Sequence, residues 1–474
     1  MYRKLASSTF LKNFSWLALG QIFYRVAYFV TIALLARIVP LNDYGLASYF
    51  LLYVGLWAPL FNFGLGIVGV REIAQGNISA EDFISKVISL KILVVVLAGV
   101  LLMVSGIFFE YSGDQLILLF CFSVYAILIS LAEFFHIPFI GIEKMHITAR
   151  LIIVERAVIS ILAILLLIVF SDIWGFAFGY ILGGIISVII SYKVFRRAFS
   201  FSLRIDNSIL KFFIRESWPV ALNMFFSLSY NRIGVVFLEN MKSRDVVAYY
   251  NSAFFVLFAL QMGVSTLMQA IFPKLSRAQK NKNSIGKSAF KVFKIIFPIL
   301  FLSTLILFYF SDSLILVFYG EELKSSIPIL RVLIWVFPLF TISTFWANYF
   351  RAGGNQRLMA VISGSGMLFN IAGSVLLINA AGAVGLAKAY VISEFLIVIM
   401  CFLLFISHQR DREITFSVIA YLAIMFLIIG GSLFYSYIGL SLTVFCLITI
   451  GILVVISLIG IKNADVKFIK NLIV

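Results

Sequence analysis

Along the chain, apolar residues gather into long blocks separated by short polar or basic links, and the blocks lack the strict apolar/polar alternation of barrel strands. Fourteen such blocks can be drawn, at 13–38, 44–70, 87–109, 115–141, 149–171, 173–195, 217–239, 247–273, 291–311, 327–350, 357–379, 383–407, 414–436 and 440–461. Each holds roughly 20 to 27 residues, enough to cross a hydrocarbon core of about 30 Å as a helix. Helices are expected because lipid offers no partner to backbone N–H and C=O groups. The pattern therefore predicts an all-α polytopic membrane protein with about 14 transmembrane helices.

Composition agrees: 62% of the 474 residues are hydrophobic and 12% are charged. The formal charge of +16 would suit a nucleic-acid partner, but its distribution argues for membrane topology instead. With the N-terminus placed in the cytoplasm, 29 of the 37 Lys and Arg residues fall in cytoplasmic links and their flanks. Only five (Arg37, Lys242, Arg244, Lys324 and Arg331) fall on the other side, while Arg25, Arg232 and Lys388 lie inside spans. Both termini are thus expected in the cytoplasm, with the basic run 274–294 against anionic headgroups. No nucleic-acid partner is expected.

The first block is too long for the h-region of a signal peptide and follows a basic arm, "MYRKLASSTFLK", so it is expected to be retained. In the link 71–91, Ser79 and Asp82 resemble a capping box ahead of an amphipathic turn expected to lie on the membrane surface. Cys121, Cys401 and Cys446 all fall in apolar blocks and read as packing residues. Nothing in the sequence points to a disulfide, a metal or a cofactor.

Two internal registers link the halves of the chain. A shift of 202 places "NFSWLALGQIFYRVAY" (13–28) over "RESWPVALNMFFSLSY" (215–230) and Asp43 over Asp245. A shift of 210 places "WGFAFGYILGGI" (174–185) over "VGLAKAYVISEF" (384–395). Both pair spans of the same orientation, which predicts two parallel six-helix halves, 1–198 and 199–408, around a central cavity, with two additional helices and a tail over 409–474.

Four stretches, "ARIVPLNDYGLASYF" (36–50), "FNFGLGIVGVREIAQ" (61–75), "FRAGGNQ" (350–356) and "LFNIAGSVLLINAAGAVGLAKAYVISE" (368–394), resemble those of Wzx-type polysaccharide and O-antigen flippases. These belong to the multidrug/oligosaccharidyl-lipid/polysaccharide exporter superfamily. The resemblance runs over essentially the whole chain. It implies that a polyprenyl-diphosphate-linked oligosaccharide repeat unit, made on the cytoplasmic face of a bacterial inner membrane, is turned to the outer leaflet through a cavity between the halves. It also implies membrane lipids, and the polysaccharide polymerase and glycosyltransferases of the pathway, as partners. Two departures stand out. The turn "DYG" at 43–45 has Val247 in place of glycine in its second copy, and the first span lacks the arginine-rich signature of lipid II flippases. The drug-exporting branch usually ends after twelve helices, and the pair of blocks over 414–461 counts against it.

A diphosphate crossing the membrane needs a positively lined path, so basic residues inside spans are the first candidates. Arg25 lies halfway along the first block, and at 100° per residue it shares a face with Gln21 and Tyr28. The 202 shift turns that stripe into Asn223, Ser227 and Tyr230. Cavity lining and interhelical hydrogen bonding are the two readings of this stripe. Arg232 faces Glu239 one heptad on, where an ion pair, snorkelling and substrate contact all remain open. Lys388 is close enough to the end of its span to snorkel.

Glu394, about ten residues into its span, is expected to point into a helix contact or the cavity, where it would couple transport to an ion gradient or simply hold helices together. Glu133 and His136, one turn apart, carry the same pair of readings. Glu155 and Arg156 are expected at the interface. Pro59, among Gly55, Gly64, Gly66 and Gly69, marks a joint. A membrane-embedded sugar polymerase or glycosyltransferase is the enzymatic alternative, and a small-molecule exporter the other. The longest outer loop, about 312–326, brings no acid–base constellation, phosphate loop or metal cluster together, so a transporter is expected, not an enzyme.

Overall fold

The computed structural model describes residues 2–278, 285–352, 356–409, 412–434 and 441–460, and among them there is no strand. The chain forms two compact units, Met1–Ala248 and Tyr249–Val474. Nine stretches of the described residues are long and apolar enough to cross a membrane. One of them, Val361–Ser407, is 47 residues long and breaks at Ala381 and Gly382, where the sequence places the link between two blocks. The protein is an all-α polytopic membrane protein.

In the first unit, α1 (Tyr2–Ile38) packs along α7 (Met145–Phe170), which packs in turn on α8 (Ile173–Ala198). Next to them, α2 (Leu41–Asn62) lies between α4 (Ala80–Phe108), α5 (Gly113–Phe134) and α9 (Asn207–Met241). Small residues permit the closest approaches. A methyl on Gly179 of α8 would lie 2.5 Å from the Ala163 backbone of α7.

The joint expected at Pro59 lies slightly further on. Pro59 accepts the Phe63 N–H at 2.7 Å, and the chain then turns through Phe63 (φ 50°) and Gly64 (φ 69°) before α3 (Leu65–Ala74) begins. Gly64 is required twice over, since its φ is left-handed and a Cβ there would lie 2.6 Å from the Ser217 carbonyl of α9.

The two copies of the Asp43/Asp245 turn meet inside this unit. Gly45 lies under the start of α10 (Arg244–Ala278), where a Cβ would fall 2.5 Å from the Arg244 carbonyl oxygen. Val247, its counterpart, is fully buried. The contact needs a glycine on one side and a filling side chain on the other, which accounts for the departure from the repeat.

Two expectations are corrected. The stretch after residue 79 is no separate surface turn: Ser79 caps α4 by accepting the Asp82 N–H at 3.0 Å, and Phe83, Ile84 and Val87 are buried in the first turns of that one helix. Nor is 312–326 a loop. It folds into α12 (Ser311–Tyr319) and a 3-10 turn, Glu321–Ser326, with Arg331 of α13 (Ile327–Leu333) donating to both Asp312 carboxylate oxygens at 2.7 and 2.9 Å.

In the second unit, α13 and α14 (Val336–Ala352) pack on the long α15 (Gln356–Gln409). Phe293 and Phe297 of α11 (Ile285–Tyr309) meet Tyr421 of α16 (Arg412–Phe434) edge-on, and α11 also packs on α17 (Leu442–Gly460).

Candidate functional site

The site grows from α1. Its lipid-type residues Leu19, Ile22, Phe23, Val26 and Val30 are exposed on one face, while Gln21, Tyr24, Arg25 and Tyr28 lie half-buried on the opposite one. The 100° period that predicts this stripe adds Tyr24 to it. Facing it, Arg156 of α7 sets its guanidinium 4.4 Å from the Tyr24 ring centroid, donates from Nη1 to the Tyr125 hydroxyl of α5 at 3.0 Å, and donates from Nη2 to Glu133 Oε1 at 2.9 Å. Arg156 is therefore no interfacial residue but the centre of a partly buried cation–π and ion-pair contact joining three helices.

The network continues through Asn62, whose amide reaches Glu133 Oε2 at 3.5 Å. At the end of α2, Lys91 of α4, 1% exposed, donates to the Phe61 carbonyl at 3.0 Å and to Asn62 Oδ1 at 3.2 Å, and it also meets Ser130 of α5. A cation here complements the carbonyl end of the α2 dipole. Arg232 lies against α2, where a Cβ on Gly55 would fall 2.0 Å from its Nη1, and it is in electrostatic reach of Tyr24 and Tyr28. Arg156 and Lys91 thus flank one carboxylate, Glu133, while Arg25 and Arg232 lie beside the tyrosines Tyr24 and Tyr28.

Glu133 and His136 part company. α5 ends at Phe134 and α6 (Ile137–Gly141) starts after His136, so the helical turn that would align the two is interrupted between them. His136 instead meets Glu155 Oε1 of α7 at 3.0 Å and Ser191 Oγ of α8 at 3.1 Å, and the Ser191 hydroxyl donates to the same carboxylate oxygen. Glu155, expected at the interface, is buried in this triad.

Comparison with known proteins places the architecture. The family model described as polysaccharide biosynthesis protein matches residues 10–279, over half of the chain. The chain belongs to this family. A second model, MatE, matches 219–376. A putative O-antigen transporter of Shigella dysenteriae is 24% identical over 376 residues, spanning 78% of this chain and 93% of its own. The capsular polysaccharide biosynthesis protein CapF of Staphylococcus aureus is 22% identical over 342 residues, 68% of this chain and 81% of its own. Among solved structures, the lipid II flippase MurJ in an inward closed conformation superposes with a TM-score of 0.70 at 17% identity, covering 97% of this chain and 99% of its own. A multidrug resistance MATE transporter in an inward-facing conformation gives 0.62 at 15% identity, over 85% and 95%. These likenesses establish a fold shared with the multidrug/oligosaccharidyl-lipid/polysaccharide exporter superfamily.

The other candidates of this polysaccharide biosynthesis protein are dispersed. Asn223 is exposed on α9, and the side chains of Ser227 and Tyr230 lie outside those described. Glu239, the expected partner of Arg232, approaches Arg244 at 3.9 Å. In the second unit, Lys388 is half-buried; Glu394 is buried and accepts a hydrogen bond from the Ser343 hydroxyl of α14 at 2.6 Å, while Tyr390 one turn before it accepts one from the Gln261 amide at 3.1 Å. A separate cavity of about 560 Å³ lies where α4 and α9 begin, lined by Glu72, Asn77, Asp82, Lys86, Ser208 and Phe212. Its charges are largely self-neutralised, by Arg71 with Glu72 and Lys86 with Asp82.

Sequence reasoning missed Lys91, Arg156, Tyr24, Tyr125 and Glu155 as members of the buried network. A signal for Lys91 was present, since Phe83, Val87 and Lys91 follow at four-residue intervals on one buried stripe. The triad gives a stability prediction. His136→Ala leaves the buried Glu155 carboxylate with the Ser191 hydroxyl but without the imidazole, and is expected to cost about 1–3 kcal/mol, more than Glu155→Gln, which keeps partners for His136 and Ser191. Thermal unfolding of the two variants in detergent measures the difference; equal losses would mean that the carboxylate is not held by the imidazole.

Proposed function

We propose that this protein is a flippase that carries polyprenyl-diphosphate-linked oligosaccharide repeat units from the cytoplasmic to the outer leaflet of a bacterial inner membrane, for assembly of a surface polysaccharide. The observation that carries this reading is the set Arg25, Lys91 and Arg156 inside membrane-spanning helices, with Arg232 of α9 against α2, in a polysaccharide biosynthesis family member. Basic groups within a membrane are costly and have to be held in protein or water, where they suit an anionic headgroup while the polyprenyl chain stays in lipid. The names of the two relatives, an O-antigen transporter and a capsular polysaccharide protein, and the flippase fold support the same substrate class.

In this reading both termini are cytoplasmic, the repeat-related halves 1–198 and 199–408 alternate in access with the pair 409–474 beside them, and Arg25, Gln21 and Tyr28 meet the diphosphate. Asn223, Ser227, Tyr230, Arg232 and Lys388 extend the path; Glu394, Glu133 and His136 are the groups through which an ion gradient would act. Polymerase and glycosyltransferases of the pathway supply and consume the lipid-linked unit.

The test uses proteoliposomes loaded with a fluorescent lipid-diphosphate oligosaccharide. A flippase makes the inner-leaflet fraction accessible to an impermeant sugar oxidant and leaves the lipid's mass unchanged. A changed mass would instead establish the polymerase or glycosyltransferase alternative. Leaflet exchange of no lipid, together with gradient-driven efflux of a small cation, would favour the exporter reading that the MatE match raises.

A further inference from the structure

Glu133 stands out in the cationic network because it already holds an anion's place. Its bond to Arg156 is a charge-assisted one at 2.9 Å, while among the described residues its other oxygen is reached only by the Asn62 amide at 3.5 Å. Its side chain is 40% exposed, against 11% for Arg156. A carboxylate open to hydrocarbon would cost several kcal/mol, and Glu133 lies on the opposite face of α5 from the exposed Ile117 and Phe120. Its open side therefore faces water.

Arg156 is anchored far better than its partner. The Tyr125 hydroxyl and the Tyr24 ring fix the guanidinium from two sides, and its buried Nε has no hydrogen-bond partner among the described residues. A firmly held, planar donor that makes two hydrogen bonds of the five its N–H groups allow, plugged by a loosely held carboxylate, has the form of an anion site occupied by an internal stand-in.

We propose that Glu133 occupies, in the empty protein, the position on Arg156 that a diphosphate takes, so that binding expels this carboxylate. The inference rests on the flippase reading for the identity of the anion. Once Arg156 is taken, the groups still facing Glu133 are Asn62 at the end of α2, Tyr125 on its own helix and Lys91 on α4, with Tyr24 of α1 beyond Arg156. Lys91 is committed to Phe61, Asn62 and Ser130, so the expelled carboxylate loses its hydrogen-bonded ion pair beside an incoming anion. None of the exchange involves a covalent bond.

Titration calorimetry of inorganic diphosphate into the purified full-length protein in detergent tests this. Glu133→Gln keeps acceptors and donors for Arg156 and Asn62 but removes the competing charge. It is expected to bind diphosphate about tenfold more tightly near neutral pH, because no charge-assisted hydrogen bond has to be broken first. Arg156→Gln should lose the binding, and Arg156→Lys should retain a weaker form of it.

Equal affinity in wild type and Glu133→Gln would overturn the proposal, as would unchanged binding in Arg156→Gln. The flippase reading fails separately. Were the proteoliposomes to show no leaflet exchange while diphosphate still displaced Glu133, the exchange would stand and the lipid-linked substrate would not; exchange with an indifferent Glu133→Gln would remove only the stand-in.

Discussion

Arg25→Ala is expected to abolish export of surface polysaccharide while the protein is inserted and folded at normal levels. The expectation follows from where α1 puts the side chain: half-buried on the polar face with Gln21, Tyr24 and Tyr28, directly away from the exposed stripe of Leu19, Ile22, Phe23, Val26 and Val30. A guanidinium keeps its charge at any physiological pH and can place two parallel N–H groups on phosphate oxygens. Hydrogen bonds to charged groups are each worth about 1.5–3 kcal/mol, so losing two lowers affinity by a hundredfold or more. Arg25→Lys keeps the charge without the fork and should retain part of the export. The deciding quantity is surface glycan divided by the amount of the protein in the membrane. If Arg25 serves only to join helices, Arg25→Ala would reduce the protein itself and leave that ratio near the wild-type value.

The α1 stripe was legible because an uninterrupted helix obeys its period, and nothing between Gln21 and Tyr28 breaks it. The inward direction of Glu394 was legible for the same reason, and the structure buries it against Ser343. The helical period gives no guide where the helix stops. Glu133 and His136 are three residues apart, but the break after Phe134 sends one to Arg156 and the other to Glu155. A break of this kind has only a weak signature, here Pro138 in the first turn of α6.

Charge counting misled in a different way. Lys91 was grouped with cytoplasmic flanks because basic residues beside a span are usually there for orientation, yet α4 begins eleven residues earlier, at Ala80, and carries it into the core. Likewise Glu155 and Arg156 look interfacial from their distance to the span end. Their burial depends on Ser191, Tyr125 and Tyr24, which three other helices bring to them and no local pattern announces.

Lys91→Met is expected to be among the most destabilising changes in the first unit, although it keeps the length and most of the volume of the side chain. The ammonium supplies donors to the Phe61 carbonyl and Asn62 Oδ1 and stands against Ser130 Oγ. Without it, the single Ser130 hydroxyl proton has to serve both the Phe61 oxygen at 3.2 Å and Asn62 Oδ1 at 2.6 Å, and one buried acceptor is left unmet. Such an acceptor costs about 1–3 kcal/mol, and the α2 carbonyl end loses its compensating cation as well, up to about 2 kcal/mol when partly buried. The joint loss falls on the turn at Phe63 and Gly64, which Lys91 holds through the two residues preceding it. Removing Ser130 in the same protein should cost more than it does in the wild type, because the hydroxyl then carries the remaining bond, so the double variant is less stable than the two single losses added together. Chemical denaturation in detergent of Lys91→Met, Ser130→Ala and the pair measures that coupling. A Lys91→Met protein as stable as the wild type would show that the turn between α2 and α3 is held by packing against α9 alone, with the ammonium incidental.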